Sequence, residues 1–121
     1  MSFSTIKEFD CNSIRISVWK LYQQIYVDIR AFINGKSRRN GICMKLQEFQ
    51  KLIPICEEIY NEGVADSFEE DINGRLFTFE FEPDMFTFKL LKPNGGSKNF
   101  IGSHDDLKTI LKHKQEILYL N

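Results

Sequence analysis

His104 and His113 are the only imidazoles in the chain, so metal or acid–base chemistry would have to be built around one or both of them. They lie nine residues apart in the last helical stretch, which does not put them on one face of a helix as a metal pair would need. Cys11, Cys43 and Cys56 are an odd number of cysteines and no two stand in C-x-x-C spacing, so neither a disulfide framework nor a zinc site is signalled. They are expected to be reduced, with Cys43 and Cys56 in apolar surroundings. A cysteine nucleophile needs an activating base, and spacing identifies none. The chain has no Gly-rich phosphate loop, no H-E-x-x-H and no G-x-S-x-G, the motifs that mark nucleotide, zinc-protease and hydrolase chemistry. The sequence therefore reads as a non-enzyme without metal or cofactor.

The chemistry it does offer is that of rings and cations. Aromatic residues make up 13% of the chain, eleven of them Phe. Between Ser13 and Met44 the cations Arg15, Lys20, Arg30, Lys36, Arg38 and Arg39 face only Asp28, and Trp19, Tyr22, Tyr26 and Phe32 lie among them. Single-stranded nucleic acid is held by this combination, because bases stack on rings while cations hold phosphates. The halves differ in charge. Residues 1–60 carry nine Lys and Arg against six Asp and Glu, a balance of +3, and residues 61–121 carry seven against eleven, a balance of −4. A polyanion surface would belong mainly to the first half. The ordinary alternatives are that aromatic residues form good strands and that near-neutral chains are locally uneven in charge.

Periodicity gives the elements that would position these groups. Ile14, Ile16 and Val18 alternate with Arg15, Ser17 and Trp19, and Ile25, Val27, Ile29, Ala31 and Ile33 alternate with Gln24, Tyr26, Asp28, Arg30 and Phe32. Two half-buried strands follow from this, with Trp19, Tyr26, Arg30 and Phe32 on the face opposite the aliphatic residues. Asn34-Gly35 starts a turn, Lys36 to Gly41 reads as a basic loop, and Ile42-Cys43-Met44 as a short third strand. Leu46, Phe49, Leu52, Ile53, Cys56 and Ile59 then recur at helical spacing. Pro54 should kink that helix or begin another, and Gly63 should end it. In the second half Phe77, Phe79 and Phe81 pair with Phe86, Phe88 and Leu90 as a hairpin. Lys98 to Ile101 reads as a third strand, and Ser103 with Asp106 as a helix start.

The halves also repeat each other. Asp10-Cys11-Asn12 returns as Asp71-Ile72-Asn73, and Asn34-Gly35-Lys36-Ser37-Arg38 as Asn94-Gly95-Gly96-Ser97-Lys98. An offset of 61 places positions 25, 27 and 29 on 86, 88 and 90, keeping the same face buried. A duplication is inferred. The expected fold class is α+β: two tandem β-β-β-α repeats, about 10–62 and about 71–121, joined by a linker at 63–70. They form one compact domain of 121 residues, a pseudo-dimer of curved antiparallel sheets with the helices packed together on one side. No run approaches the ~18 apolar residues of a membrane span, and Met1 to Thr5 lack the layout of a signal peptide, so an intracellular protein is expected.

The run Ile16-Ser17-Val18, then Ile25 to Phe32, Arg39-Asn40-Gly41-Ile42-Cys43-Met44 and Phe49-Gln50-Lys51-Leu52 resembles the transcriptional positive cofactor four (coactivator p15) family, which is related to Whirly and Pur-type folds. The similarity covers about forty of 121 residues. It implies a single-stranded-DNA-binding protein of transcription regulation or replication, with RNA as the other possible ligand. It also implies a nuclear location, transcription or replication proteins as further partners, and either a pseudo-dimer within one chain or a homodimer. The family's strand arginine falls on Arg30 and its loop cations on Lys36 and Arg39. Leu21, Tyr22, Gln24 and Ile33 depart from its pattern, and Leu91 stands where the second copy should match Arg30. The expected contacts are Trp19, Lys20, Tyr22, Tyr26, Arg30, Phe32, Lys36, Arg38 and Arg39, with Lys89, Lys92 and Lys98 as a weaker second edge. The competing reading is a protein-interaction module of a transcription complex that kept the fold and lost nucleic acid, which the pI near 6.1 favours.

Overall fold

The computed structural model describes residues 3–120. In chain order the elements are β1 (Phe3–Cys11), β2 (Ile14–Leu21), β3 (Gln24–Ile33), β4 (Lys36–Lys45), α1 (Leu46–Glu62), β5 (Asp66–Ile72), β6 (Arg75–Phe81), β7 (Met85–Leu91), β8 (Ser97–Ser103), α2 (His104–Lys112) and α3 (Lys114–Leu118). The protein is α+β, with two four-stranded antiparallel sheets ordered β1-β2-β3-β4 and β5-β6-β7-β8.

Each half thus has one strand more than periodicity predicts. β1 and β5 precede the expected hairpins, and β5 takes up residues 66–70 of the expected linker, acidic run included. The Asp-x-Asn elements are the turns that join these added strands to their neighbours. Asn12 and Asn73 sit there at φ 49 and 52, the left-handed region that Asn tolerates better than most residues. The Asn34-Gly35 turn has φ 55 and 74, both positive as a tight hairpin requires. Strand β4 is also longer than expected, so Lys36, Arg38 and Arg39 lie on a strand and not in a loop.

Register sorts the side chains. Ile14, Ile16 and Val18 face Ala31, Ile29 and Val27 across the β2–β3 ladder, and all six are buried. In the second sheet Phe77, Phe79 and Phe81 face Leu90, Phe88 and Phe86, again all buried. Burying a Phe side chain contributes up to ~3 kcal/mol, so this phenylalanine layer is a principal source of stability.

Helix α1 turns its stripe of Leu46, Phe49, Leu52, Ile53, Cys56 and Ile59 into the core. Gly63 ends it at φ 74, donating its N–H to the Ile59 carbonyl. The helix runs through Pro54 instead of stopping there. Pro54 is exposed, so the carbonyl that its missing N–H leaves unpaired is on the solvent side. Ser103 caps α2 as expected, in a reciprocal box with Asp106.

Buried residues of both halves form one continuous core, and polar bonds stitch the halves together. Glu48 on α1 is 2% exposed and meets Arg75 of β6 at 2.7 Å. Lys51 meets Glu70 at 3.3 Å and Lys114 meets Glu57 at 2.6 Å. Between β4 and β8 the Asn40 amide takes the place of a ladder rung: its Nδ2 donates to the Ile101 carbonyl at 2.9 Å and its Oδ1 accepts the Ile101 N–H at 2.8 Å. Among the described residues no helix is long and apolar enough to cross a membrane.

Candidate nucleic-acid interface

The face of the first sheet turned away from the helices holds most of the expected ring and arginine contacts. Trp19 on β2 is directly opposite Tyr26 on β3, and the rings stack with centroids 4.5 Å apart at 18°. Such a pair adds ~0.5–1.5 kcal/mol beyond its buried area. Phe32 is covered by the guanidinium of Arg15, 3.8 Å from the ring centroid. Arg15 is aligned by a fork to Asp10, Nε to Oδ1 at 2.5 Å and Nη2 to Oδ2 at 3.0 Å. This hydrogen bonding lowers the Asp10 carboxyl below its ordinary value and raises Arg15. Arg15, Asp10 and Asp28 were not among the expected contacts. The tie of Asp10 to Arg15 is legible only in cross-strand register, since alternation alone gives Arg15 a face without a partner, whereas Asp28 shares a face with Arg30 on their common strand.

Arg30 lies across the neighbouring strand. It is in register with Gly41, where a Cβ would come within 2.7 Å of Arg30 Cζ. Only glycine leaves room for the guanidinium to lie flat on β4. Its Nε and Nη2 donate to the two Asp28 carboxylate oxygens at 3.1 and 2.9 Å, and its Nη1 donates to the Arg38 carbonyl at 3.0 Å. Arg30 is therefore fixed and charge-compensated, its pKa raised chiefly by the hydrogen bond to Asp28.

Just beyond, the ladder is irregular: Arg30 pairs with Gly41 and Phe32 with Ser37, so four steps on β4 match two on β3. Arg38, Arg39 and Asn40 occupy this bulge. Bulges aim side chains out of the regular alternation, and Arg38 and Arg39 are exposed.

The remaining expected contacts scatter. Tyr22 projects from the β2–β3 turn, 73% exposed at φ 57. Lys20 is in register with Ile25 and Lys36 with Ile33, so both belong to the aliphatic side of their strands, at exposed ends. In the second sheet Lys89 shares the outer face with Thr78 and Asn99, while Lys98 is in register with Leu90 on the inner side. Lys92 is exposed at the end of β7. The three lysines do not form one edge. Cys43 is also misjudged by composition: it is half-buried on the outer face beside Asp28, not in apolar surroundings.

Charge differs between the two outer faces. The first carries Arg15, Arg30 and Lys45 with Glu8, Asp10 and Asp28, and is balanced. The second carries Glu69, Asp71 and Glu80 with Lys89. Its phenylalanines are all on the buried side. Among the described residues no group of three or more His, Cys, Asp or Glu side chains converges to hold a metal. His104 stacks on Phe81 at 4.4 Å, with Nε2 2.6 Å from the Glu82 carbonyl.

No protein-family model matches the chain, and a comparison with curated proteins returns no match.

Proposed function

We propose that this protein binds single-stranded nucleic acid, DNA in the first instance, through the outer face of its first sheet, and that it serves in transcription regulation or replication. One observation carries the reading: the Trp19–Tyr26 stack, the Arg15–Phe32 stack and the flat guanidinium of Arg30 share one face, bordered by exposed Arg38 and Arg39. Planar groups of this kind accept bases at ~1–3 kcal/mol per stacked base. The cations on the face are largely compensated by carboxylates, so phosphate contacts fall mainly to Arg38 and Arg39. Two such contacts give a slope of log affinity on log salt of about −1.4 on a single strand.

A single-chain pseudo-dimer is the architecture we infer. It is supported by the matching order of strands and helices in the two halves, by paired Asn turns, and by the Asn40–Ile101 bonds, which join positions 61 apart. The second half supplies the scaffold and the first the binding chemistry.

Fluorescence anisotropy with a labelled oligo-dT of about twenty nucleotides, a length spanning two binding units, tests the reading at low and moderate salt. The single Trp gives an independent signal, because a base stacked on Trp19 quenches it. Trp19→Ala should weaken binding ~5- to 150-fold, and Arg38→Ala with Arg39→Ala should flatten the salt slope. Absence of binding at low salt removes the proposal. A protein-interaction module is then the reading that remains, and the compensated arginines and the acidic second face favour it.

A further inference from the structure

The fold brings together three side chains that the sequence separates. Cys11 closes β1, His113 stands between α2 and α3, and Glu116 follows in α3. Cys11 Sγ lies 3.5 Å from His113 Nε2, and His113 Nδ1 lies 3.3 Å from Glu116 Oε1. Assigned from this network, the neutral tautomer has Nδ1–H donating to the carboxylate and the Nε2 lone pair facing the thiol. Phe9 stacks on the ring at 4.4 Å and fixes its plane. The order is thiol, base and orienting carboxylate, the arrangement that activates a sulfur nucleophile.

The other two thiols have no such setting. Cys56 is fully buried in the core, and Cys43 faces the Asp28 carboxylate, which opposes a thiolate. Cys11 is half-buried at the surface, and the His113 side chain is 19% exposed.

We propose that Cys11 is the thiol of this protein that exchanges with small aliphatic disulfides such as glutathione disulfide, with His113 Nε2 taking its proton. The Cys11 sulfur attacks one sulfur of the reagent and a mixed disulfide forms. The reagent S–S bond breaks, its electron pair leaves on the departing thiolate, and that thiolate takes the proton from His113. The net change converts one thiol and one disulfide into a mixed disulfide and a free thiol, so the reagent supplies the oxidation. The adduct replaces the contact between the end of β1 and the α2–α3 corner. Ser13 and Asp106, 3.0 Å apart, remain as the neighbouring tie. The proposal is independent of nucleic-acid binding.

Burial and Asp10 raise the Cys11 thiol above its ordinary value and Lys112 opposes them, so the resting sulfur is a thiol. Asp10 and Lys112 are the charges acting on the sulfur, and Glu116 is the charged partner of the ring. A thiol acting alone reacts about tenfold faster per pH unit up to its own pKa. One that passes its proton to His113 departs from that dependence.

The experiment incubates the folded chain with glutathione disulfide between pH 5.5 and 9 and follows each cysteine by peptide mass spectrometry. Cys11 is expected to react at least about tenfold faster than Cys43 and Cys56, and its rate to depart from the tenfold-per-pH-unit slope of a lone thiol. His113→Gln should slow Cys11 by at least about tenfold, a modest fraction of what a positioned base supplies, and leave Cys43 unchanged. Unfolding of the variant would show itself as reaction of Cys56, and the pH profile of the native chain then decides. A Cys11 rate no greater than that of Cys43, or a profile that follows the lone-thiol slope throughout, overturns the proposal.

Discussion

Replacing Glu48 with Ala should cost this protein about 3–4 kcal/mol, a large share of the ~5–15 kcal/mol typical of a domain. The side chain is 2% exposed and has two partners. Oε1 accepts the Lys45 N–H at 2.7 Å, which caps the first turn of α1, and losing a cap costs ~1 kcal/mol. Oε2 meets Arg75 Nε at 2.7 Å. Breaking a fully buried pair costs ~3–5 kcal/mol. Arg75 is 38% exposed and recovers water, so about 1–2 kcal/mol is the better figure here. Lost packing of the buried methylene adds ~0.8 kcal/mol. Glu48→Gln keeps the volume and the cap acceptor and should cost about 1–2 kcal/mol through the loss of charge. Urea unfolding at neutral pH measures both. With a slope of ~2 kcal/mol/M the Ala variant shifts the midpoint by ~1.5–2 M. A double-mutant cycle with Arg75→Ala should return a coupling of at least ~1 kcal/mol. A loss below ~1 kcal/mol for Glu48→Ala, or zero coupling, refutes the view that this pair locks α1 to the second sheet.

Asn40→Ala removes both bonds to Ile101 and should destabilise by ~1–3 kcal/mol, read by the same unfolding assay; Asn40→Asp keeps only the acceptor and should fall between. Gly41→Ala displaces the Arg30 guanidinium and should weaken oligo-dT binding while leaving the far-ultraviolet circular dichroism unchanged; unaltered affinity would remove Arg30 from the site. Burial first, and then Asp28, push the Cys43 thiol up to about 12. Its folded pKa exceeds the unfolded value of ~8.5, so its contribution to stability is complete below ~8.5 and is lost as pH rises toward 12. Cys43→Ser should flatten that alkaline decline in a pH series of unfolding curves. Asp10 has the opposite sign: Arg15 lowers its carboxyl, so its small contribution is present above ~4 and fades in acid. Proton titration by nuclear magnetic resonance should show the Asp10 carboxyl rising back toward its ordinary value in Arg15→Ala.

The strands legible in the sequence are those with one buried face. β2, β3, β6 and β7 alternate cleanly because most of their aliphatic and phenylalanine residues fall on one buried face. β1 and β5 are edge strands with mixed or acidic composition, Phe-Ser-Thr-Ile-Lys-Glu-Phe-Asp-Cys and Asp-Ser-Phe-Glu-Glu-Asp-Ile. An edge strand is held by its ladder and need not show a full apolar row, so β5 resembles a solvated linker until β6 is beside it. β4 was obscured in the same way, because its polar half is a bulge. Of the site, Trp19, Tyr26, Arg30 and Phe32 were visible on one face. The partners that immobilise them were not, since Asp10 reaches Arg15 across a turn and Gly41 reaches Arg30 across a ladder.

By itself the sequence determined which side chains point into the core and which point out, because a period of two along a strand and 3.6 along a helix is a local property. It also determined where several turns and caps fall, at Asn34-Gly35, Gly63 and Ser103. Only the tertiary structure decided whether outward charges are available. Arg15 reads as a free cation in one dimension, yet cross-strand register sets it against Asp10, and the fold closes Arg30 onto Asp28 two positions back on its own strand. It alone placed His113 beside Cys11, 102 residues away. Pairing between distant segments depends on register and packing direction, and neither is written in the spacing of residues along one strand.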